Sequence, residues 1–199
     1  MKPTEYRSLL IQTLEILDME SVDRLADAFS KAYENGSTIY TMGNGGSGAS
    51  ASHAAGDFLK GASFGLNKRF RMICLNDNLP SLMAIANDIG WDDIFVEPLK
   101  NFLQPGDLVI GISGSGNSKN VLNAIAYAKE NGAFTAGLTG YSGGMLATQV
   151  DIHVHSAAND MEVAEDVHMA VFNMVKKTMM DKYMGESPSM GSTYDARVK

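Results

Sequence analysis

The sequence predicts an α/β fold in which a five-stranded parallel sheet is covered by helices on both faces. Three observations predict it. Short apolar runs alternate with longer stretches of helical periodicity, the pattern of repeated strand–helix–strand units. Three of the runs, at 38–42, 108–112 and 134–138, end in loops of Gly, Ser, Thr, Asn and Tyr. The length of 199 residues suffices for one domain with a substantial core and leaves no room for a second.

Each element follows from local chemistry. Tyr6, Leu9, Leu10, Leu14 and Leu17 fall at helical spacing over 4–18; a second helix starts at Ser21, sets Leu25, Ala28, Phe29 and Ala32 on one face, and stops at Asn35-Gly36. The first strand is 38–42 and the helix after its glycine loop is 47–60. A loop over 61–70 leads to the second strand at 71–75. Pro80 suits the first turn of a helix over 81–86, which Asn87 to Gly90 ends. Acidic and apolar residues alternate over 91–103 as on a partly exposed helix. The turn Pro105-Gly106-Asp107 opens strand three, and Ser118 is placed to cap the helix that Asn131-Gly132 closes. Strands at 134–138 and 151–155 and a long helix over 161–182 complete a domain of residues 1–184. That last helix is apolar around most of its girth, which predicts burial against a partner and, with the amphipathic N-terminal helices, a homo-oligomer. Residues 185–199, rich in Ser, Pro, Gly and charge, read as a mobile tail or an arm on a neighbouring subunit.

Composition narrows the function. The net charge of −7 argues against a surface built for nucleic acid, and Lys68-Arg69-Phe70-Arg71, the one basic cluster, reads as a solvated loop before a strand. A single cysteine, Cys74, excludes an internal disulfide and a Cys-based metal cluster; its apolar neighbours predict a buried structural thiol. The amphipathic opening is unlike a signal peptide, and no apolar run approaches the roughly 18 residues of a membrane span. A cytoplasmic protein without a membrane partner is expected.

The three loops carry the chemistry. Gly43, Gly45 and Gly46 allow a tight turn and a close backbone approach, and the free N–H groups of the following helix aim a partial positive charge at an anion. In an open α/β sheet ligands bind outside the carboxyl ends of the strands, where such loops meet. Gly43-x-Gly45-x-x-Gly48 formally satisfies the dinucleotide fingerprint, but the acidic residue expected about 20 positions on is not there: Asp77 lies well past that distance, so no nucleotide cofactor is expected. No loop continues as the Gly-Lys-Ser/Thr of a phosphate-binding NTPase. Ser47, Ser113, Ser115 and Ser118 instead offer a neutral cradle suited to a sugar monophosphate. His53 and Asp57, at i and i+4, share a helix face on which imidazole and carboxylate can share a proton or a metal. On the last helix Glu165 and Asn173 fall on roughly one side and are expected to face one pocket, Asp166 and His168 to form a surface pair, and His153 and His155 to be structural.

The runs 43–47 (Gly-Asn-Gly-Gly-Ser), 84–88 (Ala-Ile-Ala-Asn-Asp), 111–118 (Gly-Ile-Ser-Gly-Ser-Gly-Asn-Ser) and 138–144 (Leu-Thr-Gly-Tyr-Ser-Gly-Gly) resemble a sugar isomerase (SIS) domain, in the branch of bacterial phosphoheptose isomerases. The likeness runs in order over about residues 5–183. It implies a three-layer flavodoxin-like fold and a homotetramer with N-terminal helices for oligomerisation and sites between subunits. It further implies conversion of sedoheptulose 7-phosphate to an aldoheptose 7-phosphate through an enediol, and zinc in the site. Phosphate roles carry over to Ser47, Ser113, Ser115 and Ser118, with Asn44 beside them and Asp88 near the sugar hydroxyls. The catalytic positions depart from the branch: Asp57 stands for a glutamate base, Glu165 for a glutamine and Asn173 for a second histidine. The resemblance therefore assigns Asp57 as base, with His53 and Glu165 positioning substrate or joining Asp57 as metal ligands. A relative, the bacterial replication-initiator-associating protein, also has Asn at the second-histidine position and acts as a binding scaffold, which sets the alternative of a phosphosugar-binding regulator without turnover.

Overall fold

The structure, a computed structural model, describes residues 1–185. The proposed tail, Gly185 apart, lies outside the described residues. Five parallel strands, β1 (Thr38–Gly43), β2 (Arg71–Cys74), β3 (Leu108–Ser113), β4 (Phe134–Thr139) and β5 (Ile152–His155), form one sheet in the order β2-β1-β3-β4-β5. The helices are α1 (Pro3–Glu15), α2 (Met19–Asn35), α3 (Gly45–Gly56), α4 (Leu79–Asp88), α5 (Val96–Phe102), α6 (Lys119–Glu130), α7 (Leu146–Gln149) and α8 (Met161–Met184).

Alternation along the strands explains the two layers. Ile39, Leu108, Ile110 and Ile112 point to a core shared with α1, α2, α3 and α8; Tyr40, Met42 and Val109 point to a second core under α5, α6 and α7. Both faces are covered, so β1 and β3 are buried at every position, Thr38 and Thr41 of β1 included. The close approach of α6 to the sheet depends on Gly111, where a β-carbon would stand 2.7 Å from Val121 Cγ1.

Several boundaries shift for local reasons. Asp18, not Ser21, starts α2, its carboxylate accepting from Glu20 N at 3.1 Å, and Gly36 ends it in the left-handed conformation at φ 73°. The acidic–apolar stretch at 91–103 is a 3-10 turn (Trp91–Asp93) followed by the short α5. The stretch 57–60, expected as plain helix, is a π-helical turn, Asp57–Gly61, in which Ala62 N donates to Asp57 O at 3.1 Å; such one-residue widenings recur at functional sites. The short α7 falls in a stretch where no helix was predicted.

Two expectations about α8 are corrected. Its apolar girth is taken up within the chain, because α1, α2 and α3 all pack on it, so it needs no partner to be buried. Asp166 is exposed and accepts from Tyr6 Oη at 2.6 Å, tying α1 to α8, whereas His168 is fully buried, its Nε2 3.0 Å from Thr139 O. A carbonyl partner fixes the proton on Nε2, and Nδ1 is left without a hydrogen-bond partner. His153 and His155 are structural as expected, their Nε2 atoms 2.7 Å from Thr139 Oγ1 and 3.0 Å from Tyr141 O.

Burial pulls the His168 pKa from 6.5 down to about 4, with His155 adding to the effect and the Thr139 carbonyl opposing it. A depressed histidine stays neutral in the folded protein while the unfolded chain takes up a proton below about pH 6.5, so stability falls as the pH drops through that window towards 4. Between pH 7 and pH 5 this single group is expected to remove about 2 kcal/mol. Urea unfolding of the wild-type protein and of His168→Gln at both pH values tests this: the variant should lose that much less, and equal losses refute the assignment.

Candidate functional site

A cavity of about 320 Å³ opens at the carboxyl ends of β1 and β3. This is the point where the strand order reverses, the place at which sheets of this topology bind ligands. The loop from β1 to α3 contributes Asn44, Gly45, Gly46 and Ser47; that from β3 to α6 contributes Ser113, Gly114, Ser115 and Ser118; α8 adds Met161 and Glu165. The end of β1 is held by one side chain, Asn76, which donates to Gly43 O at 2.8 Å and accepts from Gly43 N at 3.3 Å.

The two helices that begin at this cavity differ from the other three that start at an Asp, Asn or Ser. Asp18, Asn78 and Asp160 cap α2, α4 and α8 with their side chains. The cap residues of α3 and α6 are Asn44 and Ser118, types that ordinarily do the same, yet neither makes a side-chain cap. Ser118 Oγ lies 3.1 Å from Ser113 Oγ across the loop, so its expected capping role is not seen. Asn44 is paired with Asn120 in two amide bonds, Asn44 Nδ2 to Asn120 Oδ1 at 2.9 Å and Asn120 Nδ2 to Asn44 Oδ1 at 3.0 Å. Two helix N-termini whose cap side chains leave the first turn open, at α6 apart from Val121 N, which Asn120 Oδ1 accepts at 2.9 Å, are ringed by serine hydroxyls and form a site for a multiply charged oxyanion.

Glu165 lies inside this site. Its carboxylate packs against Gly46 so closely that a β-carbon on residue 46 would collide with it. Desolvation by burial, and then the nearby Glu162 and Asp166, raise its pKa. A carboxyl group with a raised pKa beside an anion cradle is the kind of group that handles protons in a site.

His53, near the end of α3, and Asp57, in the π-helical turn that follows it, do not line the cavity. His53 Nε2 stands 3.7 Å from Asp57 Oδ2, and the same oxygen forms an ion pair with Lys176 Nζ of α8 at 2.8 Å. His53 is largely exposed, while Lys176 and Asp57 are each more than two-thirds covered.

The profile of the SIS domain family matches residues 5–140. The chain belongs to the SIS domain family. A probable phosphoheptose isomerase of Thermoplasma acidophilum is 35% identical over 84% of this chain and 91% of its own. A phosphoheptose isomerase of Geotalea daltonii is 35% identical over 83% of each chain. The solved structure of a phosphoheptose isomerase from Neisseria gonorrhoeae superposes with a TM-score of 0.81 at 26% identity, covering 88% of this chain and 93% of that one. Within the family the chain falls in the phosphoheptose isomerase branch.

The SIS cradle thus gathers Asn44, Ser47, Ser113, Ser115, Ser118 and Glu165, and leaves four named residues outside it. Asp88 is exposed at the end of α4, accepting from Asn87 Nδ2 at 2.7 Å. Asn173 is exposed on α8 and does not share the pocket of Glu165. His53 and Asp57 complete the four, and among the described residues no three His, Cys, Asp or Glu side chains are grouped to hold a metal within one subunit. The third glycine loop, 139–144, does not line this cavity. It buttresses the second: Leu146 N donates to Gly116 O at 2.9 Å, Met145 N to Asn117 Oδ1 at 3.0 Å, and Gly116, at φ 66°, lies against the Gly143 carbonyl. Asn120, Met161 and Lys176 were not singled out from sequence. Only Asn120 carried a signal, standing two residues after the Gly-Asn-Ser run.

Replacing Glu165 with Gln removes a negative charge from an anion site while keeping its shape. At an effective dielectric near that of a protein surface this is worth ~1 kcal/mol, so Glu165→Gln should bind inorganic phosphate roughly fivefold tighter at low salt. Titration calorimetry checks it; unchanged or weaker binding places the anion elsewhere.

Proposed function

We propose that this protein is an aldose–ketose isomerase of phosphorylated sugars that converts sedoheptulose 7-phosphate to an aldoheptose 7-phosphate. One observation carries the reading: the cradle of uncapped helix ends and serine hydroxyls at the switch point, with a carboxylate of raised pKa inside it. The relatives named phosphoheptose isomerase supply the heptose. In this reading Ser47, Ser113, Ser115 and Ser118 hold the phosphate and so fix where the reacting carbons stand. A carboxylate base takes a proton from C1 of the ketose while O2 takes one from solvent, which gives the enediol; the base then returns its proton to C2 as O1 releases its own to solvent, which leaves the aldehyde at C1.

Asp57 is the proposed base, oriented by His53, with Glu165 binding sugar hydroxyls next to the phosphate. Asp57 sits about three helical turns along α3 from Gly46, roughly 16 Å of helix, so one subunit does not bring it to its own cradle. A homotetramer with sites between subunits, which the family resemblance implies, removes that gap. Support for assembly comes from α4, in which no residue is buried although Leu79, Leu82, Met83 and Ile85 are apolar, and from exposed Ile89, Trp91 and Phe102 near it. Asp88 at the end of α4 belongs to the same face. Among the described residues the donors for zinc are not gathered within one subunit. Among the described residues no helix is long and apolar enough to cross a membrane.

The scaffold reading is favoured by one feature, the exposed Asn173, an amide that transfers no proton where relatives of the branch have an acid. Turnover separates the two. An NMR time course with sedoheptulose 7-phosphate, run with zinc and with chelator, should show an aldose accumulating, and Asp57→Asn should slow it about 100- to 10,000-fold while the phosphate ester still binds. Binding without aldose under any condition leaves the scaffold; full activity in Asp57→Asn with loss in Glu165→Gln moves the base to Glu165.

A further inference from the structure

The pairing of Asn44 with Asn120 does more than join two loops. Asn44 holds the cap position of α3 with an extended backbone, φ −107° and ψ 148°, from which an asparagine ordinarily bonds the N–H groups of its own first turn. Asn78 does this in the same chain, accepting from Ser81 N at 3.3 Å. Asn44 does not, because both ends of its amide are engaged by Asn120. Asn120 is itself fixed: it is 1% exposed, lies in the first turn of α6, and its Oδ1 also accepts from Val121 N at 2.9 Å. A backbone donor at that oxygen sets which way the amide faces, and so presents Oδ1 and Nδ2 to Asn44 in one register only.

We propose that Asn120 is a positioning residue for the ligand's anion: it holds the Asn44 side chain off α3, keeping that helix N-terminus open, and ties together the two helices that face the cavity. The proposal rests on the phosphate-cradle reading above. Without Asn120 the Asn44 carboxamide is released beside the unsatisfied N–H groups of residues 46 and 47 and competes with the ligand for them. Helix α3 gains a cap and the site loses a donor face. The competition distinguishes this role from simple bracing, because it predicts that a residue able to cap is worse at position 44 than one unable to.

The test measures binding of inorganic phosphate and of sedoheptulose 7-phosphate by calorimetry to the full-length protein and four variants. Asn120→Ala should bind both about five- to tenfold more weakly, the strength of one helix cap. Adding Asn44→Ala to Asn120→Ala should recover most of the lost affinity, since the competitor is gone. In the Asn120 background, Asn44→Ser, which breaks the pair and caps, should bind more weakly than Asn44→Ala, which breaks the pair and cannot; this comparison stands even if Asn120→Ala folds poorly. Equal affinities for Asn44→Ser and Asn44→Ala, or a double variant as weak as Asn120→Ala, overturn the role of Asn120 and leave the cradle intact. A wild-type protein that binds neither ligand overturns the cradle reading, and this inference with it.

Discussion

The site depends on helix ends that are left unfinished. Most helices of the chain that begin with a capping residue use it, and the local stability gained is about 1 kcal/mol each. At α3 and α6 the chain forgoes that gain: one cap side chain is held by a neighbouring amide, the other turns toward a second serine. Much else in the fold serves this arrangement. The order of the strands places the two helix starts side by side, Asn76 pins the end of β1, and the loop after β4 supports the loop after β3 from behind.

Much of this was legible in the sequence. Strands β1, β3 and β4 are short runs of β-branched, aromatic and other apolar residues that lead into glycine-rich loops, so their places and the anion loops behind them followed directly. Boundaries were less legible where a cap or a widened turn decides them, as at Asp18 and at Asp57–Gly61. Composition did not reveal the fate of α8, because an apolar girth looks the same whether a partner subunit or three helices of the same chain cover it. The exposure of α4 was equally hidden: its helix was legible from Pro80 and the apolar residues after it, but not that none of its residues is buried within the chain.

Side-chain pairings were the least legible layer. Nothing in the spacing of His53, Asp57 and Glu165 says that the carboxylate of Asp57 meets Lys176 while that of Glu165 meets Gly46, since those contacts depend on how two parallel helices are phased against each other. His168 was misjudged for the same reason. One residue of helical phase separates the exposed Asp166 side of α8 from the core, and a histidine is compatible with either.

The contact between Glu165 and Gly46 has a consequence at the level of the gene. The carboxylate occupies its place only because residue 46 lacks a β-carbon, and what a β-carbon would strike is the tip of a flexible side chain rather than backbone. Alanine at 46 would therefore evict the carboxylate from the cradle and leave helix α3 standing. Glycine and alanine codons differ by one base, so a chain of this kind stands a single nucleotide from a binding site with its phosphate-facing serines in place and its acidic group expelled.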